Sequence, residues 1–449
     1  WCFAETRKAS GSTVIVKLSD DKRVGYGVER LKAQLQAGGQ SVSVLARPST
    51  KRSDAEVLVV GLKDNSFFSK QLTDADRKCA ELGSAEGFLI KRVSDGKHGE
   101  TFIVGADEQG AMYGCLEAAE AIRIGEFGNW PASRASAPTM KLRSYDFVFP
   151  SFVKGCVWND NPHAAMRLAR WFYDKNKVSS FLDKMAEAKF NTVKMDLTHP
   201  FPAIEAIPGY PEALKDVWEE TPLTLDKLKT ERIPYLRWLF AECRRRGITP
   251  YISFFTAGIP DSVAKAHQLN GAIDGVYHTQ YPEPEAELYT RACVKAFSDT
   301  YGDLAGLFIW NVESVPQGSG VLQNQWLKKA IIDGLLESAH RPPCILAPFN
   351  NALTEDRAGL EAILKSYPEL HYISADCDGE NTTAPDLECY YFDSIKSYKG
   401  VGGVVGGMVN ANLGGWGSGN IEPYPWFSFD YMKKMVDFLV SKGMVGSTS

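Results

Sequence analysis

Carboxylate and amide side chains follow several short apolar segments of this sequence. In the segment AGLFIWNVESVPQG, the apolar residues 307–310 are followed by Asn311 and Glu313. Asp376 and Asp378 follow the segment HYISA in the same way. Hydrolysis of a glycosidic bond requires two carboxylic acids, one that protonates the leaving group and one that is ionised and acts as nucleophile or base. These residue types therefore indicate acid–base chemistry of that kind.

Glu313 is the predicted general acid. The apolar residues before it, Trp310 among them, would desolvate its carboxyl group and favour the protonated form. Asp376 is the preferred second carboxylate because it ends its apolar segment directly, and Asp378 is the next candidate. An ordinary solvated loop is the alternative interpretation for all three carboxylates.

Other polar and aromatic residues at similar positions are expected to contact sugar hydroxyl groups or to stack on sugar rings. They are Trp158, Asp160, Lys194, His199, Asn311, Asn350, Glu388, Tyr391, Asn410 and Trp416. Lys194 would suit an acidic sugar. The sequence has no glycine-rich phosphate loop, no Gly-x-Ser-x-Gly nucleophile motif and no closely spaced histidines. No metal or other cofactor is therefore expected.

The elements that would position these residues begin near residue 140, where short apolar segments start to alternate with longer helical ones. The apolar segments predict eight strands, at residues 141–147, 191–197, 249–255, 306–311, 344–348, 371–375, 387–392 and 402–410. Repeated strand–helix units over about 300 residues are typical of a TIM (β/α)8 barrel, in which catalytic residues follow the C-terminal ends of the strands. A doubly wound open sheet is the alternative.

The first 125 residues predict a small α+β domain with helices on one face of a sheet. Residues 87–93 and 100–106 predict the two strands of a hairpin, and a helix is expected from Glu108 to Gly125. Residues 126–139 are rich in Pro, Gly, Ser and Ala and predict a linker. The predicted domains are therefore residues 1–125 and 140–449, joined by that linker.

Composition limits the partners and the location of the protein. A net charge of -5 over 449 residues, with scattered Lys and Arg, gives no basis for nucleic-acid binding. No apolar run of about 18 residues predicts a membrane span. The nine cysteines include no Cys-x-x-Cys, which indicates mostly buried free thiols. The start WCFAETRKAS resembles the end of a secretory signal peptide, so a periplasmic or extracellular location is expected, with an incomplete gene as the alternative. The sequence leaves a homodimer open.

The N-terminal part resembles a known domain. Residues 86–122 contain a strand, a turn, a second strand that ends in Gly-Ala, and a helix that begins with Gly-x-x-Tyr-Gly. This order is similar to that of the domain preceding the barrel in bacterial β-N-acetylhexosaminidases and α-glucuronidases, and MKLRSYDF resembles their first barrel strand. The resemblance implies a glycoside hydrolase whose general acid follows strand four of the barrel.

The residues after strand four separate these two families. β-N-Acetylhexosaminidases have an adjacent Asp-Glu pair there, whereas this sequence has Asn311-Val312-Glu313. The position of Glu313, with Asp376 and Glu388 from later segments, resembles the α-glucuronidase arrangement. The resemblance thus implies hydrolysis of a complex or acidic glycan in polysaccharide degradation, with an oligosaccharide or polysaccharide as partner. A catalytically inactive carbohydrate-binding barrel and a β-N-acetylhexosaminidase-type enzyme are the alternatives.

Overall fold

A computed structural model gives the fold of the chain. It describes residues 11–48, 55–94, 99–149, 152–153, 170–196, 201–218, 222–255, 259–269, 284–310, 320–347, 352–375, 404–407, 437, 440–441 and 446–448. The chain divides into two compact units. The first comprises residues 1–141 with 183–189 and 244–247, and the second comprises the remainder.

The first unit is built on a six-stranded sheet. Its strands are β1 (Ser12–Lys17), β2 (Ser41–Leu45), β3 (Glu56–Leu62), β4 (Phe88–Ser94), β5 (Gly99–Gly105) and β6 (Ser133–Ser136). They lie in the order β2-β1-β3-β5-β4-β6, and only β4 runs antiparallel to its neighbours. The predicted antiparallel pairing of residues 87–93 with 100–106 is confirmed.

The helices of this unit cover both faces of the sheet, not one as predicted. They are α1 (Lys22–Ala37), α2 (Ser66–Gln71), α3 (Asp74–Arg77), α4 (Ala80–Gly83) and α5 (Glu108–Arg123). Phe102 on β5 packs against Phe68 of α2, with ring centroids 5.9 Å apart. The next residue, Ile103, lies under Gly114 of α5. Successive strand residues point to opposite faces, so each face has its own helix layer.

Strand β6 falls inside the segment predicted to be a linker. Its residues pair with β4 in the register Phe88↔Ser136 to Lys91↔Ser133. The polar sequence SRAS does not predict a strand. An edge strand can nevertheless form there, because it needs little burial of apolar side chains. The first unit therefore continues through Lys141, the last residue before the barrel.

The Gly-x-x-Tyr-Gly sequence of α5 has a packing role. A Cβ atom on Gly110 would lie 2.0 Å from the carbonyl oxygen of Gly87, and one on Gly114 would lie 2.6 Å from Ile103. Tyr113 between them is 1% exposed. The two glycines thus allow the helix to approach the β4–β5 hairpin closely.

The second unit contains an eight-stranded parallel sheet with one strand pair beside it. The strands of the sheet are β7 (Leu142–Val148), β9 (Thr192–Asp196), β11 (Thr249–Phe255), β12 (Gly306–Trp310), β13 (Cys344–Ala347), β14 (Leu370–Ala375), β15 (Val404–Gly407) and β16 (Gly446–Thr448). The short strands β8 (Phe152–Val153) and β10 (Val217–Trp218) form the separate antiparallel pair.

The eight strands follow one another around the sheet in chain order, with β16 beside β7. The outermost strands β15 and β16 also approach each other, with Cα atoms within 8 Å. The sheet is therefore curled, and the predicted barrel fold is confirmed.

Helices connect these strands. They are α6 (Lys175–Glu187), α7 (Phe201–Ile204), α8 (Leu225–Lys227), α9 (Ile233–Arg245), α10 (Asp261–Ala266), α11 (Pro284–Tyr301), α12 (Gly320–Trp326), α13 (Asp333–Leu336), α14 (Ala352–Glu355) and α15 (Arg357–Ser366). Two π-helical segments, Leu228–Arg232 and Leu327–Ile332, join α8 to α9 and α12 to α13. Residues 225–245 and 320–336 are thus each continuously helical, with a π-helical segment between two α-helices.

The last two barrel strands differ from the prediction. Residues 404–407 form the seventh strand and not the eighth, because they pair directly with β14. The eighth is β16, in a stretch where no strand is predicted, and it pairs with β7. The predicted strand at residues 387–392 lies outside the described residues. A three-residue strand containing Gly and Ser has no apolar pattern to reveal it, whereas LECYYF has high β propensity.

The centre of the barrel is filled by side chains from several of its strands. Leu142 of β7, Tyr251 of β11, Phe308 of β12 and Ile345 of β13 belong to one buried cluster. A Cβ atom on Gly306 would lie 2.6 Å from the ring of Tyr251, so this glycine makes room for that ring. The interior is a packed core and not a pore.

Candidate functional site

The C-terminal ends of the barrel strands form one edge of the second unit, because all eight strands run parallel. Asn311 follows Trp310 of β12 directly in the chain, and Asp376 follows Ala375 of β14 directly. Glu313 comes three residues after the end of β12. β12 and β14 therefore end on the same edge of the sheet, and the chain continues from there to these predicted residues.

Most predicted site residues lie outside the part of the chain that the structure describes. They are Trp158, Asp160, His199, Asn311, Glu313, Asn350, Asp376, Asp378, Glu388, Tyr391, Asn410 and Trp416. Their roles stay predictions. The chain positions of four of them change: Glu388 and Tyr391 fall between β14 and β15, and Asn410 and Trp416 follow the seventh strand and not the eighth.

Lys194 is the predicted site residue that the structure does describe. It lies in the middle of β9 and is 2% exposed. Its Nζ atom is 4.7 Å from the ring centroid of Phe308 and 4.9 Å from that of Trp310. The side chain therefore points into the barrel and reaches across β11 to β12, where the ammonium group makes cation–π contacts with two rings.

Trp310 is fixed by a second contact, which sequence analysis did not identify. Its indole Nε1 donates a hydrogen bond of 2.7 Å to Oγ of Ser253 on β11. Trp310 is 5% exposed and Ser253 is fully buried. Because a buried indole N–H needs an acceptor, Ser253 holds the ring in one orientation. The signal in the sequence is one serine within the otherwise apolar strand segment YISFF.

These contacts place a polar layer at the upper end of the barrel core. Lys194, Ser253 and Trp310 come from three consecutive strands of the sheet, β9, β11 and β12. Below them the core cluster contains Leu142 and Ile345. The ring of Trp310 thus lies at the end of the apolar core, directly before the chain continues to Asn311.

Glu205 is a buried carboxyl group that sequence analysis also missed. It follows α7 and is 1% exposed. Neither of its carboxyl oxygens has a hydrogen-bond partner among the described residues. Burial, with a smaller contribution from the negative charge of Asp299, raises the pKa of Glu205 well above its usual value. The group is therefore held protonated inside the helix layer.

His267 joins two connecting segments of the same unit. Its Nε2 atom lies 3.0 Å from Oε1 of Glu212, and its ring lies 4.9 Å from that of Tyr210. On the same segment as Glu212, Asp216 accepts hydrogen bonds from both the backbone N–H and the hydroxyl group of Ser262. These contacts brace the connections after β9 and β11.

No group of three or more His, Cys, Asp or Glu side chains among the described residues could hold a metal ion. The five cysteines in the described ranges are free thiols, and four of them are buried. Burial raises the pKa of Cys115 and of Cys344. Across the described ranges, no helix combines the length and apolarity that a membrane crossing needs.

A cavity of about 500 Å³ lies in the first unit and not at the barrel edge. Its charged lining residues are Arg30, Arg123, Lys184, Glu117, Glu120 and Glu187. The three cations are balanced by the three carboxylates, and each cation forms an ion pair with one of them. The cavity therefore offers no net charge to an ionic ligand.

Comparison with known proteins identifies the class of this architecture. The family model described as "Glycosyl hydrolase family 67 N-terminus" matches residues 8–117. Among solved structures, a GH138 enzyme targeting pectin rhamnogalacturonan II is 22% identical with a TM-score of 0.72. The alignment covers 97% of this chain and 57% of that one. No curated protein matches the chain significantly.

A second solved structure, a Flavobacterium johnsoniae chitobiase (FjGH20), is 13% identical with a TM-score of 0.51 over 89% of this chain and 56% of that one. The chain thus spans less than two thirds of the length of either structure. At these identities the likeness shows the fold. The resemblance to bacterial glycoside hydrolases, of the α-glucuronidase or hexosaminidase type, is confirmed by the N-terminal match together with this fold.

Proposed function

We propose that this protein hydrolyses glycosidic bonds in a complex or acidic glycan. The observation that carries the proposal is the barrel edge, where Lys194, Ser253 and Trp310 form a buried polar and aromatic layer directly before Asn311 and Glu313. Active sites of TIM barrels lie at this edge. An N-terminal unit of the glycosyl hydrolase family 67 type supports the same class of chemistry.

In the proposed reaction, Glu313 donates its proton to the oxygen of the leaving group as the bond from that oxygen to the anomeric carbon breaks. Asp376 is the second carboxylate, with Asp378 as its alternative. It either attacks the anomeric carbon or removes a proton from the water that attacks it. Carboxyl groups about 5–5.5 Å apart would give retention of configuration, and about 6.5–9.5 Å would give inversion. The amide and aromatic residues predicted at the strand ends would bind the sugar rings.

An acidic plant polysaccharide is the proposed substrate class. The GH138 enzyme with this fold targets pectin rhamnogalacturonan II, and the likeness extends over nearly all of this chain. Lys194 adds a cation close to the barrel edge, which suits an acidic sugar. A role in polysaccharide degradation also fits a periplasmic or extracellular location, since large polysaccharides do not cross membranes. Cell fractionation of the native host with an antibody to the protein would test that location.

The catalytic proposal is tested by Glu313→Gln. Wild type and variant are assayed for release of reducing ends from rhamnogalacturonan II, glucuronoxylan oligosaccharides and chitobiose, and binding is measured by calorimetry. The variant is expected to lose at least ~100-fold in kcat, because the proton donor is gone, and to keep its affinity. Glu231→Gln is the matched control, because it makes the same change at an exposed glutamate of the same unit. Unchanged turnover in Glu313→Gln would remove Glu313 from the mechanism.

A catalytically inactive carbohydrate-binding barrel is the second candidate. It is favoured by one sequence feature, the Asn311-Val312-Glu313 order where β-N-acetylhexosaminidases have adjacent acids. Wild type that binds one of these glycans but cleaves none would support it. Cleavage of chitobiose alone would instead favour the hexosaminidase-type alternative.

A further inference from the structure

His267 lies between two carboxylates, one on each of two connections of the barrel. Its Nε2 atom is 3.0 Å from Oε1 of Glu212, which belongs to a 3-10 helix (Pro211–Asp216) in the connection after β9. Its Nδ1 atom is 3.9 Å from Oε2 of Glu285, in the first turn of α11. The ring also lies against that of Tyr210, with centroids 4.9 Å apart. Both ring nitrogens therefore face a carboxylate.

The protonation state of the ring decides whether both contacts are favourable. A neutral imidazole has one N–H donor and one acceptor nitrogen, whereas the imidazolium ion has two donors. If the neutral ring donates from Nε2 to Glu212, the lone pair of Nδ1 faces the carboxylate of Glu285. The side chains of His267 and Glu212 are 30% and 14% exposed, so water screens their interaction only in part. The geometry thus fits the charged ring better than the neutral one.

The helix that ends at His267 is joined to the same connection at its first turn. Asp216 Oδ2 accepts a hydrogen bond of 2.7 Å from the backbone N–H of Ser262, and the hydroxyl oxygen of Ser262 lies 2.7 Å from the carbonyl oxygen of Glu212. These contacts do not involve the imidazole. α10 is therefore fixed at its first turn by neighbours of Glu212, and His267 holds its C-terminal end.

We propose that His267 is a pH-dependent clamp. Its imidazolium form holds the C-terminal end of α10 against the connection after β9, and its neutral form releases that end. Both connections follow the C-terminal ends of barrel strands, the edge at which active sites of TIM barrels lie. The clamp makes this part of the edge more rigid in mildly acidic surroundings than at neutral or higher pH. The inference is independent of the reaction proposed above.

Histidine is the side chain whose ordinary charge change falls between pH 5 and pH 8. Within the described residues, the titratable groups that face the ring are those of Glu212, Glu285 and Tyr210. The other charged residues of the 3-10 helix, of α10 and of the first turn of α11 are Lys215, Asp216, Asp261, Lys265 and Glu287. Carboxyl, phenol and ammonium groups ordinarily titrate outside that range, so a change within it is assigned to His267.

Hydrogen exchange followed by peptide mass spectrometry tests the clamp without an assay of activity. The protection of peptides covering residues 211–218 and 261–269 is measured in the full chain from pH 5 to pH 8, after correction for the effect of pH on exchange in unstructured peptides. Protection in wild type should fall about threefold over that range, the size expected for a partly exposed ion pair. Protection of the peptide containing β12 should stay constant.

His267→Gln removes the charge and keeps one hydrogen-bond donor, so these peptides should show the lower protection at every pH. His340→Gln makes the same change at another histidine of the second unit and should keep the wild-type pH dependence. Glu285→Gln, which removes one of the two carboxylates, should reduce the fall. Protection that does not change with pH in wild type would overturn the inference, as would a fall that persists undiminished in His267→Gln.

Discussion

Glu205 makes the stability of the second unit depend on pH in an unusual direction. The carboxyl group is 1% exposed, and the four residues of α7 before it are buried as well. Tyr301 donates its hydroxyl hydrogen bond to the carbonyl oxygen of Ile204, the residue before Glu205, and not to the carboxyl group. Ionisation would leave a charge in this apolar site, with Asp299 adding repulsion. The folded state therefore keeps the proton.

The consequence for stability follows from proton binding. In the unfolded chain the carboxyl group releases its proton above a pKa of about 4.5, whereas the folded state retains it. Since the folded-state pKa is the higher one, the stabilisation is fully present below the unfolded-state pKa and is lost as pH rises towards the folded-state pKa. The free energy of unfolding falls by about 1.4 kcal/mol per pH unit in that window.

Glu205→Gln removes the titration and keeps the shape of the side chain. Above about pH 5 the variant should gain stability over wild type by about 1.4 kcal/mol per pH unit, up to the raised folded-state pKa, while the two proteins stay similar near pH 4. Urea unfolding followed by tryptophan fluorescence measures this, because all of the ten tryptophans except Trp1 and Trp130 belong to the second unit.

The control is Glu231→Gln, an exposed glutamate in the same unit. It should show no comparable growth of the stability difference with pH. A difference between wild type and Glu205→Gln that stays constant across the same pH range would refute the reasoning. It would mean that Glu205 is ionised in the folded protein and has a compensating partner.

Two further substitutions test packing. Ser253→Ala should lower the free energy of unfolding of the second unit by about 1–3 kcal/mol, because the buried indole N–H of Trp310 loses its acceptor, and Ser253→Thr should recover part of it in urea melts. Gly110→Ala should destabilise the first unit, because its Cβ would lie 2.0 Å from the Gly87 carbonyl oxygen, whereas Gly25→Ala, with open space around it, should not. Equal melting temperatures for these two glycine variants would contradict the close approach of α5 to the hairpin.

The sequence was sufficient to predict the elements whose apolar pattern is strong. β4 and β5 are rich in apolar residues, and they form the predicted antiparallel hairpin pair. β12, with four apolar residues between Gly306 and the polar Asn311, is equally clear. The side chains of such segments are buried, so the residue types alone indicate the strand.

Other features depend on partners that are distant in sequence. β16 is a strand because β7 has a free edge next to it, not because Gly446–Thr448 favours extended structure. β6 likewise depends on the edge of β4. Glu205 reads as an ordinary polar residue between apolar ones, and its burial is decided by the packing of α7 and α11. Local pattern cannot reveal such cases, because tertiary pairing overrides propensity there.

The same distinction between local sequence pattern and contacts of distant residues applies to the site. The switch from apolar to polar residues after Trp310 is visible in the sequence, and it predicts a role for Glu313. The sequence does not show that Lys194, 116 positions before Trp310, lies against the same ring. That contact arises because parallel strands bring β9 and β12 to the same barrel interior.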